Sequence, residues 1–171
     1  VQTLTNQGML AFDPERQSYS MGIRLVRLAH SAWRHSSLAP IARPYIEALS
    51  AKVGEAVHLA QFDNGHVLFV DKCKVTDNFE TLAQAGKIAP GYCTGVGKAI
   101  LAFLPEVKQN RALDQQSYTA HTPFTLTDRA ALVAELTKIK STGVAYDREE
   151  HEQGIISVSY THLTLPTTAI V

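Results

Sequence analysis

Two short runs, Val57–Phe62 (VHLAQF) and His66–Val70 (HVLFV), flank the tripeptide Asp63-Asn64-Gly65, and this arrangement constrains the fold more than any other feature of the chain. Both runs carry residues that suit a pleated, half-buried surface. The Asn-Gly between them tolerates the positive backbone angles of a tight hairpin. An antiparallel pair is therefore expected, and because an isolated hairpin is marginal in water, other elements must cover it.

Helical periodicity precedes that hairpin. From Gly22 to His35 the apolar Leu25, Leu28, Ala29, Ala32 and Trp33 recur at helical spacing, with Arg24, Arg27, His30, Arg34 and His35 mostly elsewhere. The pattern reads as a packed stripe with a solvated basic face, or as a domain linker or dimer helix. Leu38 to Val53 places Ile41, Tyr45, Ala48 and Leu49 on one face for burial and is closed by Gly54, although Pro44 argues for a kink or a later start.

Downstream, Phe79–Gln84 alternates as a third strand, and Lys98–Leu104 reads as a helix stopped by Pro105. A helix from Glu106 to about Leu113 and another over Thr127–Ser141, stopped by Gly143, should follow. Val144–Asp147 and Ile155–Val158 read as strands around an acidic connection. At the start, Val1–Gly8 reads as the last turns of a helix, and Met9–Phe12 with Ser18–Ser20 as a small hairpin. This order of helices and hairpins predicts an α+β fold with helices packed on an antiparallel sheet.

Composition narrows the function. The 171 residues fit one domain, or one domain plus a fragment of another, and 45% hydrophobic content excludes a disordered tail. The apolar runs are too short to span a bilayer. Sixteen basic and 16 acidic residues cancel, so any contact with DNA must be local or supplied elsewhere. Two cysteines, Cys73 and Cys93, and no recognisable leader suggest a reducing cytoplasm.

The run Gly91–Ile100 (GYCTGVGKAI) superficially resembles a phosphate loop, but Tyr92 and Ala99 stand where that motif requires Gly and a hydroxyl residue. Small residues at a helix start still let backbone N–H groups face a carboxylate, or alternatively let the helix start pack tightly with no ligand. Cys93, just before that helix, could be a nucleophile but reads better as a buried inert thiol. The seven histidines show no metal-binding spacing. Asp147, Glu149, Glu150 and Glu152 crowd around His151, which reads as a charged surface turn.

Taken together, LAPIARPYIEALSAKVGEAVHLAQFDNGHVLFVDK, GKIAPGYCTGVGKAILAFLP and HTPFTLTDRAALVAELTKIKSTGVAYDREEHEQGI resemble the effector-binding domain of IclR-family bacterial transcription regulators. The resemblance implies a GAF-like α+β domain over residues 37–157, a linker helix over 21–36, and the end of a winged helix-turn-helix over 1–20, both ends of the chain being expected to be cut. Residues 158–171 (VSYTHLTLPTTAIV) look like translated sequencing-adapter read-through and are expected to form a non-native tail, so that the family's final strands, with some of its pocket residues, are expected to be missing and the effector site incomplete. The family pocket would use Gly95 and Val96 as backbone donors, Asp147 as a pocket acid and Ser157 as a polar position, with Thr81, Ala89 and Ile155 lining it. The implied partners are a small organic acid or related catabolite, operator DNA through the N-terminal domain, and further copies in a homodimer or homotetramer. Neither cofactor nor metal is implied, nor catalysis. A stand-alone sensor acting through protein contacts and an enzyme using Cys93 are the alternatives. A bulky residue at Gly95 is expected to block the effector while leaving the fold intact.

Overall fold

A computed structural model describes residues 1–36, 38–63, 65–73 and 84–160, the side chains of 33–36 excepted. The chain divides into two compact units, Val1–Arg43 and Pro44–Val171.

In the first unit α1 (Gln2–Asn6) gives way to Gly8, whose φ of +68° is left-handed. Strands β1 (Leu10–Asp13) and β2 (Ser18–Met21) pair antiparallel, Leu10 opposite Met21 and Asp13 opposite Ser18. Asp13 Oδ1 accepts the N–H groups of Glu15 and Arg16 at 2.9 and 3.2 Å and so shapes the turn. Helix α2 (Ile23–Ser36) follows, and of its expected packed stripe Leu28, Ala29 and Ala32 are exposed and Leu25 is half-buried, the Trp33 side chain lying outside the described residues. Apolar residues Ile23 and Val26 face solvent as well, so the periodicity marks a helix without naming its partner.

Helix α3 (Ala39–Val53) includes Pro44 within its span. Ile41, Tyr45, Ala48 and Leu49, expected to be buried, are exposed; the buried residues are Ala39, Ile46 and Ser50. Apolar residues occur on more than one face of α3, so spacing alone could not select the buried one. Ser50 helps decide it by donating its hydroxyl to Glu55 O at 2.7 Å, which ties the helix end to the following turn.

The expected central hairpin is present as β3 (Val57–Asp63) and β4 (His66–Cys73), with Asp63 opposite His66 and a register shift at Leu59/Ala60. Of the strand expected over Phe79–Gln84, residues 79–83 lie outside the described residues and Gln84 is not in a strand. The third strand is β5 (Ile88–Pro90), which places Ala89 opposite Val67 on β4. Three residues ending in proline give little strand signal, and Pro90 is tolerated because it sits at the strand's end.

The remaining elements are α4 (Gly95–Phe103), α5 (Glu106–Asp114), α6 (Arg129–Thr142), β6 (Val144–Arg148) and β7 (Ile156–Tyr160). Asp128 caps α6 by accepting the Ala131 N–H at 2.8 Å, and Gly143 ends it at φ +76°. Strand β7 runs two residues past its expected end and pairs antiparallel with β6, Asp147 opposite Ser157. The α+β expectation holds, with the strands of this unit forming a three-stranded and a two-stranded ladder among the described residues.

Helix α4 is the element on which this unit is assembled. Leu101, Ala99 and Ala102 join Tyr92, Cys93, Leu113, Leu132, Leu136, Ile139 and Ala145 in the main apolar cluster. Its approach requires small residues: a Cβ on Gly97 would lie 2.6 Å from Gly91 Cα, with the Gly91 carbonyl oxygen closer still. We therefore expect Gly97→Ala to cost about 1–3 kcal/mol in urea unfolding, against a change within about 0.5 kcal/mol for Val107→Ala at an exposed position of α5. Equal midpoints for the two variants would show that the approach is not tight.

Candidate functional site

The site begins with Thr94, the N-cap of α4. Its hydroxyl donates to Pro90 O at 2.8 Å and accepts the Gly97 N–H at 3.3 Å, while its carbonyl accepts the Lys98 N–H at 2.9 Å. These bonds anchor the helix start to the end of β5. The N–H groups of Gly95 and Val96, in the first turn, have no hydrogen-bond partner among the described residues. An unpaired first turn also carries the positive end of the helix dipole, so it suits a negatively charged group.

Against this turn lies an inverted ladder. Along β6 and β7 the apolar Tyr146, Ile156, Val158 and Tyr160 are exposed, whereas Ala145 and Asp147 are buried and Ser157 and Ser159 half-buried. The polar face is the one turned toward α4: a Cβ on Gly95 would lie 2.7 Å from Ser159 Oγ and 2.8 Å from Ser157 Oγ. This geometry corrects the expectation for a bulky residue at position 95. Any side chain there meets β7 before it meets a ligand, so Gly95→Leu disrupts packing and is no clean test of binding.

The acidic connection after β6 is also corrected. Asp147 and Glu150 are 6% and 7% exposed, so this is a buried structure and not a charged surface turn. Lys98, wholly buried on α4, places its Nζ 2.5 Å from Glu150 Oε1. Asp147 Oδ1 accepts the Glu150 N–H at 2.8 Å, and Glu149 adopts φ +61°, an uncommon conformation for a residue with a side chain. The hydroxyls of Thr122 and Thr125 donate to the carbonyls of Glu149 and Glu150, both at 2.6 Å, and hold the loop in that shape. Burial raises the Asp147 and Glu150 carboxyls above the usual carboxylate range; the Glu150 N–H opposes this most at Asp147, and Lys98 does so at Glu150.

Of the residues expected to form a pocket, Gly95, Asp147 and Ser157 come together at the α4–β6–β7 junction. Ala89 and Val96 meet in a second apolar cluster with Val67, Phe69 and Ala60. Ile155 stands apart, closing the acidic loop through backbone bonds with Glu149 and Glu152. Thr81 lies outside the described residues. The ion pair Lys98–Glu150 was not read from the sequence: its partners are 52 positions apart, and neither has a distinctive local pattern.

Cys93 is wholly buried, and burial, with Asp147 and Glu150 nearby, pushes its thiol up to about 12. Such a thiol is no nucleophile at neutral pH. In the folded chain at pH 8 we expect iodoacetamide to spare Cys93 and to modify the half-buried Cys73; labelling of Cys93 at the rate of an unfolded peptide would contradict its burial. Removing Lys98 has a pH signature. Acids with raised pKa values bind more protons in the folded than in the unfolded chain, so their contribution to stability falls as pH rises above the ordinary carboxylate range. Lys98→Met should cost about 3–5 kcal/mol at pH 7.5 and distinctly less at pH 5, where the buried acids take up protons. An equal loss at both pH values would show that the lysine does not compensate them.

With the geometry in place, comparison with known proteins is informative. The family described as "Bacterial transcriptional regulator IclR C-terminal" matches residues 30–162. The HTH-type transcriptional regulator Rv1719 of Mycobacterium tuberculosis is 35% identical over 91% of this chain and 59% of its own length. The crystal structure of Thermotoga maritima IclR matches 92% of this chain and 63% of its own at 29% identity and a TM-score of 0.74. At 21% identity, an IclR homologue from Microbacterium hydrocarbonoxydans, solved with 4-hydroxybenzoate, shares the fold over 99% of this chain and 69% of its own, with a TM-score of 0.77. The chain spans about three-fifths of the length of the curated relatives it matches. These relatives are named as regulators and not as enzymes, in agreement with the expectation of no catalysis. The chain belongs to the IclR family of bacterial transcriptional regulators and carries that family's C-terminal domain.

Proposed function

We propose that this chain is the sensing part of a cytoplasmic DNA-binding regulator and that its effector is a small organic acid or related catabolite. The observation that carries the reading is the pairing of two unpartnered N–H donors, on Gly95 and Val96, with the polar inner face of β6–β7. Helix N-termini favour carboxylates on grounds of both hydrogen bonding and charge. Ser157 supplies a hydroxyl and Asp147 an acid beside it, and Ala89, with Thr81, is assigned to the lining.

In this reading residues 1–20 end a winged DNA-binding domain, 21–36 link it to the sensor, and 37–157 form the sensor. Regulation follows from a difference in effector affinity between two states of a homodimer or homotetramer, transmitted through α2 to the DNA-binding heads. An effector that binds both states equally shifts nothing, however tightly it binds.

The test is calorimetry of the chain against a panel of keto, hydroxy and aromatic acids that includes 4-hydroxybenzoate. At least one acid should bind, and Ser157→Ala should weaken it by about tenfold or more, the effect of losing one hydrogen bond to a charged group. Failure of every acid to bind, or binding indifferent to Ser157, would overturn the proposal.

A further inference from the structure

The buried acids at this site are not equivalent. Asp147 is occupied in shaping its own loop, its Oδ1 accepting the backbone N–H of Glu150. Glu150 spends one oxygen, Oε1, on Lys98. Its other oxygen, Oε2, is buried without a hydrogen-bond partner among the described residues, in a residue only 7% exposed. A buried carboxylate oxygen left unpaired is costly, and native structures rarely leave one so without a role.

Glu150 is also held where it is. The Thr125 hydroxyl grips its carbonyl, Asp147 its N–H, and Lys98 its carboxylate. It cannot turn to water without breaking these bonds. Asp147, whose Oδ1 accepts the Glu150 N–H, is the same residue whose backbone nitrogen lies 3.4 Å from the position of a Cβ on Gly95. Through Lys98 the residue that carries the unpaired oxygen is bonded to the same helix whose first-turn N–H groups are unpaired among the described residues.

We propose that Glu150 is a specificity-determining residue of the effector site, its Oε2 accepting a hydrogen bond from a hydroxyl of an organic acid whose carboxylate is held at the start of α4. The inference rests on the sensing function proposed above and narrows it to hydroxylated acids. An ionised carboxylate can only accept, so it rewards a donor on the ligand and penalises a ligand that leaves it buried and bare.

Matched pairs of acids test this: lactate with propionate, mandelate with phenylacetate, and gluconate with hexanoate, each titrated by calorimetry. In at least one pair the hydroxylated member should bind at least about tenfold tighter. Glu150→Gln, which keeps an oxygen for Lys98 and replaces the free acceptor with a donor, should shrink that ratio to about threefold or less. If circular dichroism shows that this variant does not fold, Lys98→Met/Glu150→Gln, which removes both buried charges, takes its place. Acids that bind with no preference for the hydroxyl, or a preference unchanged in the folded variant, overturn the role of Glu150 and leave the sensing proposal standing. Failure of every acid to bind overturns both.

Discussion

Placing a lysine wholly inside a domain of this size obliges the rest of the structure to answer it. Lys98 comes from the second turn of a helix whose other residues are mostly small or apolar, and its ammonium would be prohibitively costly there without a counter-charge. The counter-charge is Glu150, brought from a loop between two strands. Fixing that glutamate requires the loop to take an unusual shape, with Glu149 left-handed and two threonine hydroxyls clamped onto consecutive carbonyls. One ion pair therefore ties together α4, the connection between β6 and β7, and the segment before α6.

The ladder beside this ion pair is inverted. In most half-buried strands the apolar side faces the core, but β6 and β7 turn Asp147, Ser157 and Ser159 inward and Tyr146, Ile156 and Val158 outward. A polar inner face next to a helix start that keeps two N–H groups unpaired among the described residues forgoes hydrophobic stabilisation in return for a place that a polar ligand can occupy. The glycines of α4 belong to this arrangement. Gly97 lets the helix start lie on Gly91, and Gly95 lets it approach the two serine hydroxyls.

Local chemistry made much of this fold legible in the sequence. The antiparallel pairing of β3 and β4, the Gly143 stop and the helical periodicity of α6 depend on near neighbours, and the structure contains each of them. Misreadings arose where the deciding partner is distant in sequence. The buried face of α3 could not be selected because apolar residues surround the helix, and β5 is too short to announce itself beside Pro90 and Gly91. Charge misled most: Asp147 and Glu150 have the composition of a solvated turn, but the Glu150 N–H bonds to Asp147, and Lys98, about fifty positions away, pairs with Glu150. The resemblance carried by Gly91–Ile100 and the segment leading to Gly154 identified the family where the physics of either segment alone left ligand and packing equally open.

The central claim is that the first turn of α4 receives the effector's carboxylate. It is tested most directly by following the backbone amide resonances of Gly95 and Val96 in 15N–1H spectra while a binding acid is titrated into the isotopically labelled chain. The account predicts that these two amides move downfield on saturation, as N–H groups do when they acquire a charged acceptor, and that their exchange with solvent slows. Saturable binding that leaves both amides unchanged while shifting resonances elsewhere would place the effector at a different site and contradict the account.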